Sequence, residues 1–131
     1  WMTYGQLESF PDPQKWKICV QLPDAIIKNN AFRKHTFVTS HLRTNYVWLF
    51  KKIKKEDLLL NNEFFPVDGD LAYMFPLLEM AGYHSFFIRD VLYCYNRQTV
   101  INEDKVHRAL KWECSKIIRN QARYEPLKGR Q

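Results

Sequence analysis

At 131 residues the chain is one domain's length, enough for a hydrophobic core and too short for two comfortable ones. Apolar residues make up 46% and aromatics 15%, which excludes a polar disordered segment and predicts a core built around aromatic rings. The formal net charge of +6 suits a polyanion, an acidic membrane surface or a phosphate-bearing ligand, and a basic soluble surface accounts for it equally well.

Three cysteines, Cys19, Cys94 and Cys114, are widely spaced, odd in number and without a CxxC pair. Neither a disulfide framework nor a zinc site is indicated, and a reducing, cytoplasmic compartment is the simplest fit. No run approaches the roughly 18 apolar residues that a membrane span needs, and no signal-peptide pattern opens the sequence. Trp1-Met2-Thr3-Tyr4 reads as the interior of a protein, so a fragment of a longer chain is expected.

In chain order, Trp1 to Pro13 reads as an irregular but ordered loop, because Tyr4-Gly5 is a flexible joint and Pro11-Asp12-Pro13 forbids helix. Lys15 to Ile27 does not separate into strand or helix by pattern. Thr36 to Leu42 is β-prone, and in extended form its continuation sends His41 and Arg43 to the same side. Tyr46, Leu49, Phe50 and Ile53 follow an i, i+3, i+4, i+7 stripe, which predicts an amphipathic helix with Lys51, Lys52, Lys54 and Lys55 on its other faces. Glu56 to Glu63 reads as a short helical or turn segment ending at Asn61-Asn62.

The segment Phe65 to Gly82 organises the rest. Leu71, Met74, Phe75, Leu78 and Ala81 recur at helical spacing, Asp68 and Asp70 stand at the start, and Gly82 is the stop signal. Beyond it, Tyr83 to Ile88 and Val91 to Tyr95 are β-prone runs split by Arg89-Asp90, which predicts a hairpin or two strands joined by a short turn. A last helix is expected from Asn102-Glu103-Asp104 to about Arg123, with Val106, Leu110, Cys114 and Ile117 inward and Arg108, Lys111, Lys116 and Arg119 making it basic. Pro126, Gly129 and the closing charges read as a tail.

Several groups are candidates for chemistry. Asp68-Gly69-Asp70 has the form of a D-x-D, whose carboxylates can hold a divalent metal, but Asp at a helix start also serves as a cap and complements the dipole. Glu79 sits near the C-terminal end of the same helix, against the dipole, either as a solvated or salt-bridged residue or as a ligand contact. About 13.5 Å of helical rise and half a turn of phase separate it from Asp70, so the two are not an acid–base pair; a kink at Pro76 does not join them. His41 with Arg43 offers an imidazole and a forked donor for a phosphate or metal. Asn96-Arg97 falls where a strand gives way to a loop, a common place for binding side chains. The lysines at 51 to 55 read as a solvated helix face, no aromatic interleaving marking them as a nucleic-acid surface. Neither a Ser/His/Asp triad nor a Gly-rich phosphate loop is present in the pattern.

Trp1-Met2-Thr3-Tyr4-Gly5, His41-Leu42-Arg43-Thr44, Leu49-Phe50-Lys51-Lys52-Ile53, the run Asp70 to Gly82 and Leu92-Tyr93-Cys94-Tyr95-Asn96, in that order, resemble the C-terminal half of family 2-type glycosyltransferases with a GT-A fold. The resemblance runs from Trp1 to about Leu127 and is most specific in the Asp70 to Gly82 segment and the Tyr-x-Tyr-Asn strand end. It implies an α/β fold, a mixed sheet with flanking helices, forming the acceptor side of a larger catalytic domain. The nucleotide-binding N-terminal half, with the D-x-D that holds most of a divalent metal (Mn or Mg), would lie outside this chain, and the isolated chain would be a poor enzyme.

By the same resemblance Asp70 is the catalytic base of an inverting, hexosyltransferase-type reaction between a nucleotide-sugar donor and a saccharide or other hydroxyl acceptor. His41 and Arg43 approach the donor phosphates, Asn96 and Arg97 fall at donor-site or lid positions, and Trp1, Tyr4 and Glu79 belong to the acceptor side, with Trp48 more readily assigned to the core. The family places an acidic residue directly before the aspartate, where this chain has Gly69; Asp68 is at most a weak metal ligand or helper. The absence of a Gln-x-x-Arg-Trp motif points to single transfers. The resemblance implies no nucleic-acid partner and no membrane span. The alternatives are a basic module for nucleic acid or an anionic membrane, and a noncatalytic sugar-binding domain.

Overall fold

The computed structural model describes residues 1–13, 19–101 and 107–129, and the architecture is mixed α/β, a mixed sheet with flanking helices. Its first element corrects the expectation of a loop: Met2–Phe10 is a nine-residue strand, β1. Met2, Tyr4, Leu7 and Ser9 are buried along it, and the period of two slips once at Gly5-Gln6, where the pairing register also shifts. That slip hides the alternation from a reading of the sequence. At Gly5 a Cβ would come within 3.3 Å of the Leu42 backbone nitrogen, so the glycine lets the segment carrying His41 and Arg43 lie directly on β1.

Asp24–Lys28 forms a short helix, α1, within the stretch that the sequence left unassigned. The β-prone run 36–42 does not pair as a strand. Strand β2 is Arg43–Asn45, antiparallel to β1 with Tyr4 opposite Arg43, and a 2.7 Å hydrogen bond joins the Thr3 and Thr44 hydroxyls. The predicted helix over 46–53 shrinks to α2, Val47–Phe50. Its bonding tightens from i→i−4 at Lys51 to i→i−3 at Lys52 and Ile53, which ends the helix and leaves Tyr46 and Phe50 exposed while Leu49 and Ile53 are buried. A single turn at Lys55–Leu58 leads into a small hairpin, β3 (Leu59–Leu60) and β4 (Glu63–Phe64), with Asn61 and Asn62 both at positive φ in its turn.

Helix α3, Gly69–Ala81, matches the predicted segment, and Gly82 ends it at φ +49°. Leu71, Met74, Phe75, Leu78 and Ala81 are buried as the spacing predicts, but so are Leu77 and Met80 on other faces. A helix covered nearly all round is the centre of the molecule rather than a surface helix. Each fully buried leucine contributes about 1.5–3 kcal/mol by leaving water.

The predicted hairpin after Gly82 is instead one strand, β5, Ser85–Asn96, parallel to β1. Ile88 pairs with Gly5 and Val91 with Gln6, so Arg89-Asp90 is a bulge within β5 rather than a turn. The sheet order is β2-β1-β5. Helix α4 is Arg108–Asn120, shorter at its end than expected, and it buries Cys114 and Ile118 while Ile117 is exposed. Its expected start at Asn102-Glu103-Asp104, and Val106, lie outside the described residues. The tail packs back: Leu127 N–H donates to the Met80 carbonyl at 2.9 Å, and Tyr124 and Leu127 lie against the core. Among the described residues no helix is long and apolar enough to cross a membrane.

Candidate active site

A cleft of about 820 Å³ opens where the first turn of α3, the segment 37–43, the end of β5 and one face of α4 meet. Asp68, Gly69 and Asp70 enter it from α3, His41 and Arg43 from the segment packed on β1, and Tyr95 from β5. The structure therefore brings together His41, Arg43, Asp68 and Asp70, four of the residues singled out in the sequence.

Arg43 is the hinge of this group. Its Nη1 donates to Asp70 Oδ2 at 3.1 Å, its Nη2 lies 2.9 Å from His41 Nε2, and its guanidinium stands 5.6 Å from the centre of the Tyr73 ring. The second Asp70 oxygen, Oδ1, accepts the backbone N–H of Leu71 at 3.0 Å, sharing it with the Asp68 carbonyl at 2.9 Å. Both carboxylate oxygens are thus fixed in direction, and a carboxylate with two bonds made retains lone pairs for a third donor. The Asp70 side chain keeps 34% of its surface open to solvent, which leaves that third direction accessible.

Arginine has donors only, so the His41 nitrogen facing it, Nε2, must be the acceptor. The ring proton then sits on Nδ1, where it is donated to Ser40 Oγ at 3.0 Å. Burial, with the Arg43 charge adding to it, pushes the His41 imidazole below its ordinary range, while Asp70 opposes the shift in part. A neutral imidazole that donates to Ser40 does not deprotonate it, so Ser40 and His41 are not a nucleophile and its base in this arrangement. The ring stacks on Tyr93 at 4.5 Å, which fixes its plane.

Asp68 corrects the capping expectation. It occupies the N-cap position of α3 but in the left-handed conformation, φ 56°, and its side chain makes no cap bond. Its carboxylate, 3% exposed, instead meets Lys111 of α4 at 3.4 Å. The two carboxylates of Asp68-Gly69-Asp70 therefore turn to cations on different elements and are not arranged as a metal fork. Among the described residues no group of three or more His, Cys, Asp or Glu side chains stands close enough to hold a metal ion.

The remaining residues named from the sequence lie elsewhere. Glu79 is fully buried: its carboxylate meets Arg33 Nε at 2.7 Å and Nη2 at 3.0 Å, and accepts the Tyr124 N–H at 3.0 Å. That pair accounts for an acid at the wrong end of the helix dipole, and it does not reach the cleft. Tyr4 is 2% exposed, its hydroxyl accepts the Leu22 N–H, and burial pushes its phenol pKa up, so it is a core residue with no face for a sugar. Trp1 stacks on His84 at 3.9 Å and meets Trp48 edge-on, away from the cleft lining. Asn96 and Arg97 do not line the cleft, although Tyr95 before them and Thr99 after them do; Asn96 Oδ1 accepts the Gln98 N–H and Arg97 N–H donates to the Phe10 carbonyl.

The cleft also contains residues not anticipated as site members. Lys111, Ser115 and Arg119, spaced by four along α4, line its far wall. The spacing was visible, but Lys111 and Arg119 read only as part of a basic helix and Ser115 drew no reading. Arg119 spends Nη1 on the carbonyls of Arg33 and His35, and burial lowers its pKa. Arg108 and Lys116 face solvent instead, so the charge of α4 is divided between two faces. No family model matches the chain, and no curated protein or solved structure matches it either.

Proposed function

We propose that this chain is the acceptor-side part of an inverting glycosyltransferase of the GT-A type, with Asp70 as the catalytic base. The observation that carries the reading is the position of Asp70: it stands in the first turn of the most deeply packed helix, opens onto the cleft, and has both oxygens oriented by Arg43 and the Leu71 N–H. A base on a rigid helix start is held in place while the acceptor moves to it.

In this reading the acceptor hydroxyl donates to Asp70. As its oxygen forms a bond to the anomeric carbon of the donor sugar, the proton passes to the Asp70 carboxylate, and the bond from that carbon to the phosphate oxygen breaks. The nucleotide diphosphate leaves with the electron pair, and the configuration at the anomeric carbon is inverted. Arg43 keeps the carboxylate aimed, and neutral His41 keeps Arg43 in plane. A divalent metal supplies charge neutralisation for the leaving diphosphate in such reactions. The carboxylates of Asp68 and Asp70 do not fit that ion, which in this reading is held outside the chain together with the nucleotide-binding half.

The test is the stereochemistry of transfer. The complete protein is incubated with a panel of nucleotide sugars and hydroxyl acceptors, and the anomeric configuration of the product is read by proton NMR. Inversion supports the reading; retention of configuration overturns it, because a hydroxyl that the base directs to the face opposite the leaving diphosphate inverts the anomeric centre.

A further inference from the structure

The same cleft holds three cations, Arg43, Lys111 and Arg119, and they differ in how firmly each is anchored. Arg43 is divided between Asp70 and His41, with its face toward Tyr73. Arg119 gives Nη1 to two backbone carbonyls, reaches Ser115 Oγ with Nε at 3.4 Å, and stands 5.0 Å from the centre of the Phe75 ring. Neither guanidinium uses all five of its donors, but each is pinned to a wall of the cleft by more than one contact.

Lys111 is different. An ammonium group carries three donors. Among the described residues its one ion-pair contact, Asp68 Oδ1, lies at 3.4 Å, well beyond the 2.7–2.9 Å usual for a charged hydrogen bond, and its side chain is 40% exposed. Asp68 is buried beneath it and cannot follow the ammonium outward, so the carboxylate tethers Lys111 at the cleft without saturating it.

We propose that Lys111 is the diphosphate-binding residue of this cleft. The inference rests on the reading of the cleft as a nucleotide-sugar site and names a contact that the resemblance assigned instead to His41, Arg43, Asn96 and Arg97. A compact polyanion suits the place: the wall carries three cations against two carboxylates, His41 is neutral, and the opening is concave. On binding, the Lys111 ammonium keeps its long contact to Asp68 and turns its two remaining donors to phosphate oxygens. The cationic wall on α4 then faces the base on α3 across the cleft, so that the leaving group and the acceptor are held from opposite sides.

The experiment is calorimetric titration of the complete protein with inorganic pyrophosphate, with and without magnesium. The wild type is compared with Lys111→Ala, Lys111→Arg, Asp70→Asn and the solvent-facing control Arg108→Ala. The expected result is a weakening of about tenfold or more in Lys111→Ala, the loss of a charged hydrogen bond, with affinity largely restored in Lys111→Arg and unchanged in Arg108→Ala. Circular dichroism identifies a Lys111→Ala protein that has failed to fold; in that event Lys111→Gln, which keeps the length and polarity, is titrated in its place and must show the same loss. Equal affinity in wild type and a folded position-111 variant overturns the inference, as does a wild type that does not bind pyrophosphate. Competition by single-stranded RNA with equal loss in Arg108→Ala also overturns it, in favour of a diffuse basic surface. Asp70→Asn, which removes one of the two cleft carboxylates, should bind pyrophosphate at least as tightly as the wild type; a turnover undiminished in that variant would count against the glycosyltransferase reading while leaving the anion site standing.

Discussion

Arg33 and Glu79, 46 residues apart, form a two-pronged ion pair with side chains 3% and 0% exposed. Arg33 also donates to the Ile118 carbonyl at the end of α4, and Glu79 accepts the Tyr124 N–H, so one pair ties α3 to α4 and the tail. Removing one partner leaves the other buried and uncompensated. Glu79→Ala should therefore cost about 3–5 kcal/mol, read as a lower midpoint in urea denaturation. Replacing both, Arg33→Met with Glu79→Leu, should cost less than Glu79→Ala, since the desolvation of two charges disappears together with their attraction, although the Ile118 carbonyl and the Tyr124 N–H lose these partners. A Glu79→Ala protein as stable as the wild type would contradict the buried pair.

Gly69 occupies the first position of α3 without a left-handed backbone, and a Cβ built there meets nothing within 4 Å. The glycine restricts nothing in the folded state and adds freedom to the unfolded one. Gly69→Ala should raise stability by about 0.4–1 kcal/mol. A loss of stability, measured by the same denaturation, would mean that the helix start is not as described.

The Tyr124 hydroxyl donates to Asp57 Oδ2 at 2.6 Å and accepts the Lys54 N–H at 2.8 Å. Burial and the Asp57 carboxylate push its pKa up to about 12 from 10.0. Because the folded state holds this proton more tightly than the unfolded state, the contribution is complete below pH 10 and is lost as pH rises toward 12. Tyr4 and Tyr73, also raised by burial, act in the same direction. Stability measured across that range should fall, and the fall should be shallower in Tyr124→Phe; identical slopes in the two proteins would contradict the assignment.

The most legible part of the sequence was α3, because a helix carrying its apolar residues at three and four and ending on glycine states its own limits. The grouping of His41 with Arg43 was legible for a similar reason, the two being only two residues apart. What stayed hidden depends on distance or on irregularity. β1 breaks its alternation at Gly5-Gln6 and is followed by prolines, so it read as a loop. β5 carries a bulge at Arg89-Asp90 that imitates a turn, and only its pairing with β1 on both sides of the bulge shows one strand. The partner of Glu79 is remote in sequence, so an acid at the end of a helix gave no sign that Arg33 would cover it. Lys111, Ser115 and Arg119 announced a common face by their spacing, but the cleft which that face lines is formed by segments from the rest of the chain.

Asp70 is the base in the proposed reaction, and the direct test is the turnover of the complete protein with Asp70→Asn. Asparagine keeps the size of the side chain and an oxygen for Arg43 while removing its capacity to take a proton. The predicted result is a kcat lower by roughly 100- to 10,000-fold, with KM for the nucleotide sugar nearly unchanged. Wild-type kcat in a folded Asp70→Asn protein would contradict the assignment of the base.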